Sequence, residues 1–78
     1  MTVAVRLYAG VRERAGKARL EVDGRTIAAV RAAVAAACPA IAGQLASCRF
    51  AVNDEFVGDD AAVPSGAVVD VIPPVSGG

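Results

Sequence analysis

A chain of 78 residues with eight basic residues, eight acidic residues and no histidine is long enough for one domain, and it lacks the residue that most often performs acid–base catalysis near neutral pH. Its charges are scattered along the sequence and only three residues are aromatic, so we expect neither a nucleic-acid binder nor an enzyme that works alone. No apolar run approaches the ~20 residues of a membrane span and no secretory signal opens the chain, which predicts a cytoplasmic protein. Cys38 and Cys48 form no CxxC pattern, so we expect two reduced thiols and no metal site.

The N-terminal third predicts two strands joined by a loop. Apolar and other residues alternate with the period of a half-buried strand at Val3, Val5 and Leu7. Glycines bound residues 10–16, which we interpret as a loop containing one helical turn. The alternation resumes at Leu20 and Val22 and predicts a second strand that ends at Asp23.

The middle of the chain predicts one long helix. Thr26 offers an N-cap hydroxyl before an alanine-rich run, and Pro39 ends the helix. The apolar stripe expected to face the core is Ile27, Val30, Val34, Ala37 and Cys38. Residues 40–46 predict a short turn that adds Ile41 and Leu45 to the core.

The C-terminal third predicts three further strands separated by turns. Phe50 and Val52 alternate with polar or small residues, residues 53–55 have turn chemistry, and residues 56–57 form a short strand. In the last strand, Val68–Ile72, we expect Val69 and Val71 to face the core and Asp70 to face outward.

The order strand, strand, helix, strand, short strand, strand predicts an α+β fold of the β-grasp (ubiquitin-like) type. We expect a mixed sheet of four to five strands packed on one main helix, with the last strand parallel to the first and one sheet face open. A ferredoxin-like fold would need a second long helix, for which residues 40–46 are too few.

The sequence ends in two glycines after two prolines. Proline has no N–H to donate, so we expect the domain to span residues 1–73 and residues 74–78 to form a flexible, extended tail with a reach of roughly 17 Å beyond Pro73. Gly77 and Gly78 have no side chains, so the final carboxylate could enter a narrow channel of a partner. The alternative is an ordinary frayed terminus.

Three segments carry a family resemblance. Residues 7–13 with Gly16, residues 51–53 and the ending at residues 72–78 resemble the small sulfur-carrier subunit of molybdopterin synthase, the MoaD type of the MoaD/ThiS ubiquitin-like family. The chain departs from that pattern at residues 64–68, where relatives often carry a more acidic turn.

The resemblance implies a protein that is used as a reagent. A MoeB-like enzyme would use ATP to adenylate the carboxylate of Gly78, and a sulfurtransferase would convert it to a thiocarboxylate. The tail residues Pro74, Val75, Ser76 and Gly77 would enter the large, MoaE-like synthase subunit, where the sulfur passes to cyclic pyranopterin monophosphate. The resemblance implies no bound cofactor and no catalytic machinery of the chain's own.

Three residues are candidates for docking a partner. Tyr8 and Ile72 are expected on the sheet face opposite Leu7 and Val71, as an apolar patch; the alternative is that they are ordinary exposed residues. Arg12 is the third candidate, and its alternative is a solvated ion pair with Glu13.

Other functions use the same features. The same tail chemistry serves carriers for thiamin, cysteine or tRNA thiolation, and a ubiquitin-like modifier would be joined through its end to target lysines. A simple interaction domain with an inert tail is a further alternative.

Overall fold

The computed structural model describes residues 2–74, in which five strands form one mixed sheet. The strands are β1 (Thr2–Leu7), β2 (Arg19–Asp23), β3 (Arg49–Val52), β4 (Glu55–Val57) and β5 (Val68–Ile72). The helices are α1 (Ala9–Ala15), α2 (Ile27–Ala37) and α3 (Ala42–Leu45), with a 3₁₀ turn at Pro39–Ile41 before α3. The predicted tail residues Val75, Ser76, Gly77 and Gly78 lie outside the described residues.

The strand order across the sheet is β2-β1-β5-β3-β4. β1 pairs antiparallel with β2 and parallel with β5, while β3 pairs antiparallel with both β5 and β4. Parallel neighbours need a long crossover, which here contains α2. This arrangement confirms the β-grasp prediction, including the last strand beside the first.

One face of the sheet and the helices share a single core. The expected inward residues of β1 are at most 3% exposed, and Val69 and Val71 of β5 are fully buried. Ile41 and Leu45 also belong to this core, as the sequence predicts. The Asn53-Asp54 turn has positive φ at both residues, in agreement with its turn chemistry.

Helix α2 begins and ends where the sequence predicts. The Thr26 hydroxyl oxygen accepts a hydrogen bond from the Ala29 N–H at 3.2 Å, which is an N-cap. The expected stripe is buried except at Ala37, which is exposed. Ala37 is the last helical residue, and the chain turns at Cys38, whose side chain takes the final position over the core.

The prediction of a loop with one helical turn at residues 10–16 was wrong, because a seven-residue helix, α1, occupies this segment. Val11 is fully buried beneath it, and burial of this side chain favours the helix over a solvated loop. Gly16 ends the helix with φ 75°, and its N–H donates to the Arg12 carbonyl at 3.0 Å. A glycine in this left-handed conformation is a common helix C-cap.

Between residues 2 and 74 no single helix has the length and hydropathy of a membrane span, although α2 and the Pro39–Leu45 segment, bent at 115°, would pass together on length and composition alone.

Candidate functional site: the open sheet face and its tail end

The face of the sheet that points away from the core presents a continuous set of side chains. Directly paired residues on neighbouring strands share a face, so the residues that alternate with the buried ones belong together. We call this surface the open face; it consists of Thr2, Ala4, Arg6, Tyr8, Arg19, Glu21, Asp23, Arg49, Ala51, Phe56, Val68, Asp70 and Ile72.

One end of the open face lies where the predicted tail begins. β1 and β5 are parallel, so Tyr8, which follows β1, and Ile72, which ends β5, lie at the same end of the sheet. Arg49 begins β3 there and pairs directly with Ile72. Pro73 and Pro74 continue the chain from this point, which we call the tail end.

The centre of the open face is an ion pair that includes Asp70, which faces outward as the alternation predicts. Asp70 does point away from the core, yet it is only 5% exposed. Arg6 donates to its two carboxylate oxygens, from Nε to Oδ1 at 2.6 Å and from Nη2 to Oδ2 at 2.9 Å, and the Tyr8 hydroxyl donates to Oδ1 at 3.3 Å. The hydrogen bonds and negative charge of Asp70 raise the pKa of Arg6 above its ordinary value.

The two large exposed aromatic side chains of the described residues both lie on this face. Tyr8 is 36% exposed and Phe56 is 50% exposed. The guanidinium carbon of Arg49 lies 4.2 Å from the ring centroid of Phe56, and that of Arg6 lies 6.0 Å from the ring of Tyr8. Both distances are within the range of cation–π contacts. Sequence reasoning missed Phe56 as an exposed residue of this face, because its strand of three residues has too short an alternation to assign a face.

The three expected docking residues are only partly brought together. Tyr8 and half-buried Ile72 share the tail end of the open face. Arg12 is exposed on α1, which follows Tyr8, and is therefore near that end but not on the sheet. In the part of the chain that the structure describes, Arg12 and Glu13 do not form the ion pair considered as the alternative.

Neither the cysteines nor the hollow at the end opposite the tail forms a chemical site. Cys38 and Cys48 are free and buried, and residues 2–74 contain no group of three His, Cys, Asp or Glu placed to hold a metal ion. A hollow of about 340 Å³ at the end opposite the tail is bordered by Val3, Arg25 and Val63, and Arg25 is the one charged residue among the described residues that line it. A single charge gives little basis for binding a cofactor.

Comparison with known proteins identifies the family. The model of the ThiS family matches residues 5–78, through both terminal glycines. The chain belongs to the ThiS family. It is therefore a member of the ubiquitin-like sulfur carriers, whose named structures include proteins of several pathways.

Solved structures of this fold carry three different kinds of name. The small archaeal modifier protein 1 from Haloferax volcanii is 25% identical over the whole of both chains, with a TM-score of 0.90. A chain of the BexX/CysO complex from Amycolatopsis orientalis is 26% identical, with 97% of this chain and 99% of that chain covered and a TM-score of 0.83. A chain in the complex of subunits 1 and 2 of the molybdopterin-converting factor from Helicobacter pylori is 23% identical over all of both chains, with a TM-score of 0.75, and shows the fold alone. No curated protein matches the sequence significantly.

Proposed function

We propose that this chain is a thiocarboxylate sulfur carrier that supplies sulfur to cyclic pyranopterin monophosphate in molybdopterin biosynthesis. The observation that carries the proposal is the family match through residue 78, together with a last strand that ends at Ile72 beside Tyr8 on the open face. In this proposal the carboxylate of Gly78 is the group that is loaded with sulfur, and the Pro74–Gly78 tail is the part that enters partners.

The proposed chemistry uses the carboxylate of Gly78 as a substrate. A carboxylate is a poor electrophile until one oxygen becomes part of a good leaving group, which adenylation with ATP provides. A sulfur nucleophile then attacks the acyl carbon, so crowding near that carbon slows the reaction. Gly78 supplies the least crowding and Gly77 the widest choice of backbone angles. Errors of about 1 Å in positioning can cost on the order of a hundredfold in rate, so side chains at either position are expected to be harmful.

The proposed partners are a MoeB-like adenylating enzyme, a sulfurtransferase and a MoaE-like large synthase subunit, all in the cytoplasm. Each would contact the tail residues Pro74, Val75, Ser76 and Gly77 and the surface that carries Tyr8, Ile72 and Arg12. Exposed Tyr8 and half-buried Ile72 at the tail end support this docking mode. The general acid or base for each step would come from the partner, since the chain has no histidine.

A protein modifier of the same family is the second candidate. The observation that favours it is the similarity to the Haloferax volcanii modifier protein, at 25% identity and a TM-score of 0.90. A modifier forms amide bonds with lysines of many proteins, whereas a carrier returns to its free form after each sulfur transfer. Immunoblots for high-mass conjugates therefore separate the two functions.

The test is reconstitution of the sulfur transfer. The chain is incubated with ATP, the adenylating enzyme and a sulfur donor, and fragment masses locate the replacement of one oxygen by sulfur at Gly78. The loaded protein is then mixed with the large synthase subunit and cyclic pyranopterin monophosphate, and molybdopterin is measured. A matched variant with one alanine appended after Gly78 should be inactive. Equal sulfur transfer by the unprocessed, extended variant would contradict the proposal.

A further inference from the structure

The zero net charge of the chain conceals a strong separation of charge in the folded protein. Six of the eight basic residues lie at the tail end of the sheet or in the connection through α1. These basic residues are Arg6, Arg12, Arg14, Lys17, Arg19 and Arg49, and the acidic residues beside them are Glu13 and Asp70. The strand ends and turns at the opposite end carry four acidic residues, Glu21, Asp23, Asp54 and Glu55, and one basic residue, Arg25.

The sheet topology produces this separation from charges that are scattered along the sequence. Strand β2 runs antiparallel to β1, and β3 runs antiparallel to β5. The first residues of these two strands, Arg19 and Arg49, therefore lie at the tail end. Arg19 pairs with Arg6, and Arg49 pairs with Ile72 at the base of the tail. The connection from β1 to β2 contains α1 and adds three more basic residues at the same end.

Most of the positive charge at the tail end is not neutralised within the described residues. Arg12, Arg14, Lys17, Arg19 and Arg49 are exposed, and within residues 2–74 none of them forms an ion pair. Arg6 is the exception, because it is bound to Asp70 and its Nη2 also lies 3.8 Å from Asp54 Oδ1. Arg31, which packs on the Phe50 ring, is bound to Asp59.

Stacking holds one of these cations in a defined orientation beside the tail. Arg49 lies against the ring of Phe56 and adjoins Ile72, so apolar area and positive charge occupy one continuous patch. A stacked guanidinium keeps its N–H groups at the edge of its plane, where they can bind a carboxylate in two-point geometry. Arginine and aromatic residues are also the types enriched at the energetic centres of protein interfaces.

We propose that the tail end is a cationic docking surface for an adenylating enzyme whose tail-binding channel is rimmed by carboxylates. The charge separation orients the neutral chain so that the tail approaches first, and Arg49 pairs with a partner carboxylate at the base of the tail. This inference rests on the proposed function, since it concerns the enzyme that activates Gly78. A protein partner fits better than a nucleic acid, because the cations surround the apolar side chains of Tyr8, Phe56 and Ile72. In addition, an arginine of the chain itself already lies against each of the two exposed rings, which leaves them less available to stack on bases.

The test measures ATP–pyrophosphate exchange by the adenylating enzyme from the same organism, with this chain as the varied substrate. The Arg12→Gln, Arg19→Gln and Arg49→Gln triple variant should raise the KM about tenfold or more with kcat unchanged, because the loss is in encounter and docking. Arg25→Gln is the matched control, since Arg25 is exposed at the opposite end. Raising the salt concentration from about 50 mM to about 300 mM should raise the wild-type KM and reduce its difference from the triple variant.

Each outcome has a separate meaning. Equal KM values for wild-type and triple-variant chains, with melting curves showing both folded, would overturn the docking inference and leave the proposed function standing. Absence of exchange with the wild-type chain would overturn the proposed function and this inference with it. Total tRNA that binds the chain and displaces the enzyme, with the same dependence on the three arginines, would assign the surface to nucleic acid and overturn the inference.

Discussion

Arg6 and Asp70 lie side by side on the parallel strands β1 and β5 and form a two-point ion pair on the sheet face away from the core. The carboxylate side chain is 7% exposed, whereas the arginine side chain is 45% exposed. The buried Asp70 carboxylate therefore depends on the exposed Arg6 to offset the cost of removing its charge from water. The pair also fixes the guanidinium at the centre of the open face.

The asymmetry of this pair predicts non-additive mutational effects. Arg6→Leu leaves the Asp70 carboxylate buried without its cation, so we expect the melting temperature to fall by roughly 5 °C or more. The double variant Arg6→Leu with Asp70→Leu removes both charges and should recover much of this loss. Thermal denaturation followed by circular dichroism measures the cycle. Losses that simply add across the two sites would show that the ion pair does not couple them.

A close backbone contact predicts a second stability difference. A Cβ atom on Gly24 would lie 2.8 Å from Val30 Cγ2 and 2.9 Å from the Val30 backbone nitrogen. Since the helix backbone cannot yield cheaply, Gly24→Ala should lower the free energy of unfolding by about 1–3 kcal/mol. Gly43→Ala is the control, because nothing lies within 4 Å of its added Cβ and it is in helix α3. Urea denaturation of both variants decides the matter, and equal stabilities would contradict the close approach of Gly24 to α2.

These contacts illustrate what the sequence can predict here. The strands and α2 follow from short-range alternation, helical spacing and the Thr26 cap, all of which are local. Helix α1 was missed because two glycines obscured it; Gly16 was itself the signal, as a C-cap that follows a helix. Local pattern also does not give strand register, which is what brings Arg6 to Asp70.

The charge distribution shows the same limit at the level of the site. Arg19 and Arg49 are 30 positions apart in the sequence, and only the antiparallel pairings of β2 and β3 bring both to the tail end. Alternation alone predicted that Tyr8 and Ile72 face outward, because each follows a core-facing residue at the end of a strand. Phe56 was not, because a strand of three residues has too short an alternation to assign a face.

The side chain of Arg31 joins three elements and should contribute to stability. Its Nη1 donates to the Leu45 carbonyl, its Nη2 donates to Asp59 Oδ1 at 2.7 Å, and its guanidinium carbon lies 4.5 Å from the Phe50 ring centroid. Arg31→Ala should lower the free energy of unfolding by about 1–2 kcal/mol, because it removes these bonds from a side chain that is mostly buried. Arg14→Ala, at an exposed position on α1, is the control and should change stability little. Equal urea midpoints for the two variants would contradict the role given to Arg31.

The thiol of Cys48 should be unreactive in the native protein. Burial raises the pKa of Cys48 above the ordinary 9.0, an effect that the charge of Arg31 partly offsets. The native state therefore holds the thiol proton more tightly than the unfolded chain, so the contribution to stability is complete below pH 9.0 and is lost as the pH rises through the native pKa. Modification by a disulfide reagent at pH 7 should be slow until denaturant is added. Equal rates with and without denaturant would contradict the burial of this thiol.

Ile72 provides the most direct test of the docking surface, because it adjoins both the tail and Arg49. Ile72→Asp places a charge in the proposed apolar contact, so we expect the Kd for the large synthase subunit to rise about tenfold to a hundredfold. Thr2→Asp is the matched control, since it adds the same charge to an exposed position at the opposite end of the open face. Calorimetric titration of both variants gives the two dissociation constants, and melting curves check that each is folded. An unchanged Kd for Ile72→Asp would remove this residue from the interface, whereas equal weakening by both variants would indicate a general effect of charge and not a contact at the tail end.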